Sequence, residues 1–124
     1  HPDMATAIKK AVHEALLHAK KEQDLLRLID IYRSSGKTKP TRGDETGIEA
    51  IKTFLETAIE QGVANVYDPR IVAEIAGGMI EWIAKLCFIY KAADISRYEE
   101  TLVLMLQHAF LKDFRSSRKT DNPK

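Results

Sequence analysis

Two closely spaced histidines are the first candidates for metal ligands in this sequence. His13, Glu14 and His18 read H-E-x-x-x-H, which is one residue longer than the H-E-x-x-H motif of zinc enzymes. At about 100° per residue, the extra position makes the two imidazoles diverge by roughly 140° on a helix, so they do not converge on one ion. We therefore interpret both histidines as solvated helix residues and predict no metal site.

The sequence also shows no nucleophile with a neighbouring base and no pair of carboxyl groups placed for acid–base catalysis. Cys87 lies in an apolar segment with no histidine one turn away on the same face, which favours a structural cysteine over a nucleophile. Glu74, Glu99 and Glu100 are typical of solvated helix faces or helix caps. The sequence therefore predicts no enzyme, no catalytic residue and no cofactor.

Composition narrows the class of protein further. The 124 residues, 44% of them hydrophobic, are enough for one domain over 1–124. The net charge of +1 gives no strong bias toward nucleic acid or an acidic membrane surface. The single cysteine excludes an intramolecular disulfide and fits a reducing compartment. No apolar run reaches the ~18 residues of a transmembrane helix, so we expect a cytoplasmic protein without a membrane partner.

Apolar residues recur every three or four positions along most of the chain, which predicts an all-α bundle of about four to five helices. The pattern covers 4–33, as one helix or two, and then 44–61, 69–91 and 96–114. Gly36 and Gly62 are the expected helix stops. We predict a surface loop over 37–43 and a disordered polar tail over 115–124.

Two helix starts carry capping signals. Asp68 followed by Pro69 is an N-cap residue with proline at the first helical position. Ser96 with Glu99 three residues later forms a capping-box pattern, which predicts that the last helix begins at Ser96.

The helix over 69–91 is apolar around most of its circumference. Its charged residues Arg70, Glu74, Glu81 and Lys85 fall within roughly 60° of arc. The last helix also carries two apolar faces, so one covering partner is not enough for either helix. We predict a symmetric homodimer in which these two helices of each subunit form an intermolecular four-helix bundle. The alternative is a helix crossing inside one subunit. The interface candidates are Gly77, Gly78, Ile80, Ala84, Leu102, Leu106, Ala109 and Phe110.

The run FLETAIEQGVANVYDPRIVAEIAGGMIEWIAKL, over 54–86, resembles the C-terminal part of TetR-type transcriptional regulators. There a helix ends in E-x-G, a short connection leads to D-P, and a long apolar helix begins. The corresponding positions here are Glu60-Gln61-Gly62 and Asp68-Pro69. The resemblance implies dimerisation through the last two long helices and binding of a small-molecule effector. It also implies DNA binding only through an N-terminal helix-turn-helix, which these 124 residues lack.

Bulky residues between the helices are the candidates for an effector pocket. They are Tyr32, Phe54, Trp82, Phe88 and Tyr90. No charged residue lies unambiguously on a buried face, so we expect an apolar or neutral effector. Because the first residue is His1 rather than Met, we expect a piece of a longer regulator. The alternative function is a stand-alone helical module for protein–protein interaction.

Overall fold

The computed structural model of the chain describes residues 3–36, 45–65 and 67–112. Within these ranges the architecture is all-α, as predicted, with five α-helices. A π-helical segment, Lys85–Ile89, continues directly from the fourth helix. The α-helices are α1 (Met4–Lys21), α2 (Gln23–Ser34), α3 (Glu45–Glu60), α4 (Pro69–Ala84) and α5 (Ile95–Phe110).

The core forms around α1, which packs against both α4 and α5. Met4, Ile8, Val12 and Leu16 are buried at intervals of four residues, so they lie on one face of the helix. They join residues of α4 and α5, among them Ile83 and Leu102, in a single apolar cluster. Gln107 of α5 is buried beside this cluster, and its side-chain amide donates to the Ala5 carbonyl at 2.8 Å.

The segment over 4–33, for which one or two helices were expected, forms two helices that meet at Glu22. The backbone of Glu22 has φ −101° and ψ 25°, and its side chain makes no capping hydrogen bond to α2. The second helix ends at Ser34, and Gly36 follows with a φ of 74°. A positive φ is unfavourable for other residues, so this glycine allows the chain to leave the helix where the sequence predicted.

The connection between α3 and α4 also follows the predicted signals. Gly62 has a φ of 75° immediately after α3, and Pro69 is the first residue of α4. The Asp68 carboxylate accepts from the backbone N–H groups of Arg70 and Ile71, at 3.0 and 3.3 Å. The start of α4 is therefore set by local chemistry before any tertiary contact is considered.

The last helix differs from the prediction at both ends. Its N-cap is Asp94, whose carboxylate accepts from the Ser96 N–H at 3.1 Å, so the predicted Ser96 cap was wrong. It ends at Phe110 because Leu111 becomes extended and forms an isolated antiparallel β-bridge with Ala64. That pairing depends on a segment distant in sequence, which the helical periodicity could not show. The predicted loop over 37–43 and tail over 115–124 lie outside the described residues.

None of the helices in the described ranges combines the length and apolar character needed to cross a membrane.

The core arrangement predicts a contrast between two neighbouring leucines of α1. Leu16 is 2% exposed and Leu17 is 44% exposed. We expect Leu16→Ala to lower the free energy of unfolding by about 2–5 kcal/mol, because it removes buried contacts and leaves a cavity. Leu17→Ala serves as the matched control and should change it by less than about 1 kcal/mol. Urea denaturation followed by circular dichroism measures both, and equal losses would contradict this description of the core.

Candidate functional site

The charged residues of α4 contact two different helices. At its start, Arg70 forms a bidentate pair with Glu45 of α3, with N–O distances of 2.6 and 3.1 Å. The same guanidinium donates to Glu49 at 3.0 Å and to Glu74 at 2.9 Å. The hydrogen bonds to Glu45, and next to Glu74, raise the pKa of Arg70 above its ordinary value, so it remains a cation at all working pH values. The N-terminal turns of α3 and α4 are thus joined by one arginine.

The other end of α4 contacts α2 through a set of polar groups that we call the α2 ion-pair cluster. It consists of Asp30, Arg33, Glu81, Lys85 and Tyr90. Arg33 donates to Glu81 at 2.6 Å, and Lys85 donates to Asp30 at 3.1 Å. The Tyr90 hydroxyl donates to the second Asp30 oxygen at 2.7 Å. Both oxygens of Asp30 are therefore bound by groups in or just after the π-helical segment.

The hydrogen bond between Asp30 and Tyr90 shifts the pKa values of these two groups in opposite directions. It is the largest cause of a lowered pKa for Asp30, with Lys85 adding to the effect. The same bond raises the pKa of Tyr90, because the neutral hydroxyl is the form that can donate. Both shifts favour the carboxylate and the protonated phenol at neutral pH.

A row of exposed apolar residues runs along α4, and we call it the α4 stripe. It consists of Ile71, Ile75, Gly78 and Trp82, which fall within roughly 60° of arc. Ile71, Ile75 and Trp82 are 53%, 57% and 55% exposed. The buried residues of α4, such as Ala73 and Ala76, lie on the opposite side of the helix. The α4 stripe is therefore an apolar surface that no other described part of the chain covers.

The two adjacent glycines of α4 have different surroundings. A Cβ atom placed on Gly77 would lie 3.7 Å from Cγ1 of Ile48, so this glycine faces α3 within the same chain. A Cβ atom on Gly78 would meet nothing within 4 Å. Gly77 thus fits the internal helix crossing considered above, whereas Gly78 leaves a shallow gap in the exposed α4 stripe.

The other predicted interface residues are mostly turned inward. Ala84, Leu102 and Leu106 are buried in the core of the chain, and Ile80 and Phe110 are partly buried against it. These side chains are already covered within one chain. Ala109 is exposed, and its carbonyl accepts from Asn65 and from the Tyr67 hydroxyl.

The five predicted pocket residues fall into two groups. Phe54 and Phe88 are partly buried and pack against the core cluster. Tyr32, Trp82 and Tyr90 are each more than half exposed. All but Phe54 belong to α2 or to the continuous stretch from α4 to Tyr90, which are the elements that the α2 ion-pair cluster joins.

Two of the residues first considered for metal binding or catalysis, His13 and Cys87, have contacts within the fold. Nδ1 of His13 lies 2.8 Å from Oε2 of Glu99, which connects α1 with α5. His13 was interpreted as a solvated residue, and it remains largely exposed despite this contact. Cys87 is partly buried, and burial raises the pKa of its thiol, which disfavours the reactive thiolate. Among the described residues, no group of three or more potential ligands is placed to hold a metal ion.

Sequence reasoning missed the roles of Asp30 and Arg33. Asp30 and Arg33 are three positions apart and Glu81 and Lys85 are four apart, so each pair lies about one helical turn apart and carries one acidic and one basic residue. That correspondence was the available signal, but it becomes informative only when the two helices are known to be neighbours.

The chain was compared with protein-family models, with curated proteins and with solved structures, and none of the three comparisons gave a match.

The pKa shift of Tyr90 predicts how the α2 ion-pair cluster responds to alkali. A raised pKa in the folded state means that the bond stabilises the protein below pH 10 and that this contribution is lost as the pH rises through the raised value. The difference in melting temperature between the wild type and Tyr90→Phe should therefore be largest at neutral pH and vanish in alkali. Thermal melts over a pH series provide the measurement. A constant difference at every pH would contradict the assigned bond.

Proposed function

We propose that this chain is the dimerisation and effector-binding domain of a TetR-like transcriptional regulator, and that two copies associate through the α4 stripe. The observation that carries the proposal is the exposed apolar row on α4, on the side opposite the core. In the family that the sequence resembles, the two last long helices form the dimer interface, and α4 and α5 occupy those places in the chain.

The position of the exposed residues on one face supports an association surface more strongly than their number does. Single exposed apolar side chains are common on soluble proteins, but contiguous apolar patches of several hundred Å² mark association surfaces. On α4 three large apolar residues share one face, with Gly78 between them. A second helix can approach most closely at a glycine, so the row offers both apolar surface and a place for close contact.

Exposed apolar residues also occur just before α4 and on α5. Asn65 and Tyr67, just before α4, donate to the Ala109 carbonyl near the end of α5. The start of α4 therefore lies near the end of α5. The exposed residues on these two parts of the chain are Tyr67, Tyr98 and Met105.

The α4 stripe supplies part of the area that a dimer needs. At roughly 100 Å² for each half-exposed large side chain, Ile71, Ile75 and Trp82 supply on the order of 300 Å². A standard interface buries about 800 Å² on each partner, so the rest of the interface would come from residues around the stripe.

The effector-binding part of the proposal rests on the predicted aromatic residues along α2, α4 and the π-helical segment. An apolar or neutral effector held among them would favour one arrangement of the dimer, and only a difference in affinity between arrangements can shift their populations. DNA binding would belong to a helix-turn-helix outside these 124 residues, and the regulator would work in the cytoplasm.

The dimer surface is tested by placing a charge on the α4 stripe. We expect Ile75→Glu and Trp82→Glu to convert a dimer into a monomer, because a buried unpaired carboxylate opposes association. Leu28→Glu is the matched control, since Leu28 is an apolar residue on α2 that is also more than half exposed. Sedimentation equilibrium of the three variants and the wild type measures the dissociation constants.

The proposal predicts a dimeric wild type and Leu28→Glu variant, with dissociation constants at least about 100-fold weaker for the two α4 variants, a loss of about 2.7 kcal/mol. A monomeric wild type in the micromolar range would contradict it. A dimer that both α4 variants leave intact would place the interface elsewhere and contradict it equally.

A helical module that binds a different protein is the second candidate function. The observation in its favour is that Leu25, Leu28 and Tyr32 of α2 are more than half exposed, and a dimer formed through the α4 stripe does not account for them. This candidate predicts a chain that is monomeric alone and purifies with a stoichiometric partner that Leu28→Glu releases.

A further inference from the structure

The second helix has an unusual relation to the rest of the chain. Among the five described helices, α2 has no buried residue, whereas α1, α3, α4 and α5 each have three or four. Leu26 of α2 is partly buried and packs against the core cluster. A helix of 12 residues is only marginally stable in water without packing of an apolar face.

The orientation of α2 is the reverse of that expected for an amphipathic surface helix. Leu25, Leu28 and Tyr32 are exposed to solvent, whereas Asp30 and Arg33 contact α4 and the residues after it. The polar side of the helix therefore makes most of the specific contacts with the body. Ion pairs between partly exposed groups are weak and depend strongly on geometry, so such a contact is easily broken and remade.

We propose that α2 is a reversibly docked helix that leaves the body as a unit, with the α2 ion-pair cluster as the contact that holds it. The hinge at its N-terminal end is Glu22. This residue has non-helical angles between two helices, and its side chain does not cap the free N–H groups of α2. At the other end the helix is followed by Gly36 with a positive φ, which places a flexible residue type at the second boundary.

The π-helical segment is the part of the rest of the chain that loses its contact with α2 when this helix leaves. It contacts α2 directly, and it holds Lys85 and is followed by Tyr90, which together bind both oxygens of Asp30. A π-helical turn is less favourable than a continued α-helix and often occurs at functional positions. Release of α2 frees Lys85 and Tyr90 and gives solvent and ligands access to the side of this turn that α2 contacts. The regulatory consequence, access for an effector, rests on the proposed function, but the docking itself does not.

Hydrogen–deuterium exchange of the full chain, followed by mass spectrometry of peptides, tests the proposal. In the wild type we expect the amides of 23–34 to exchange at least tenfold faster than those of α1 and α4, because they open locally rather than with global unfolding. Tyr90→Phe, a mild change that keeps the ring, and Asp30→Ala should each increase exchange in 23–34 several-fold. Exchange in α1, α4 and α5 should stay the same.

The control variant is Arg70→Met, which breaks an ion-pair cluster of similar size on the same helix α4. It should increase exchange around the starts of α3 and α4 and leave 23–34 unchanged. Protection of α2 equal to that of α1 in the wild type would overturn the proposal. So would an increase that is uniform over all helices in the Asp30 and Tyr90 variants. Since the measurement does not depend on dimer formation, its outcome is separate from that of the sedimentation experiment.

Discussion

The structure depends on the packing of one helix, α4, whose apolar residues cover more of its circumference than its neighbours can reach. Three of its four buried residues are alanines, Ala73, Ala76 and Ala84, which are almost fully buried, and the fourth is Ile83. Small side chains on this side allow neighbouring helices to pack against α4, and a Cβ atom on Gly77 would be in van der Waals contact with Ile48 of α3. In the described ranges, no other helix covers Ile71, Ile75 and Trp82 on the opposite side. The same helix that contributes to the core therefore leaves an apolar surface outside it.

The charges of α4 and Lys85, which follows it, connect α4 with two of the other helices. They lie in a narrow arc between the buried side and the α4 stripe, and they are used in two separate groups. Arg70, which also pairs with Glu74, contacts the start of α3, whereas Glu81 and Lys85 contact α2. The two groups of ion pairs differ in how well the contacted helix is packed. Helix α3 has buried residues of its own, whereas α2 has none.

Local chemistry explains which parts of the fold could be predicted from the sequence. The Asp68-Pro69 start and the two glycine stops depend on residues within a few positions of one another, and the structure has them where the sequence placed them. The start of α5 was misplaced because Asp94 and Ser96 are both good caps, and the extended backbone at Asp94 decides between them. The end of α5 depends on a bridge to Ala64, 47 positions earlier, so no local pattern could show it.

The candidate site was less predictable than the fold for the same reason. The periodicity showed that α4 has too much apolar surface, but it could not say which part of that surface the chain covers itself. Ala84, Leu102 and Leu106 are equally apolar in sequence, yet they lie in the core of the subunit. Exposure at Trp82 follows only from where α1 and α3 pack, and the contacts of Asp30 follow only from where α2 lies.

Association through the α4 stripe is tested most directly with the one tryptophan of the chain as a fluorescent reporter. Trp82 lies on the α4 stripe and is 55% exposed in a single subunit, so association should transfer its indole from water to an apolar interface. The emission maximum should then shift to longer wavelength when the wild-type protein is diluted through its dissociation constant. In Ile75→Glu it should stay at the longer wavelength at all concentrations. An emission maximum that is independent of concentration and the same in both proteins would contradict the account.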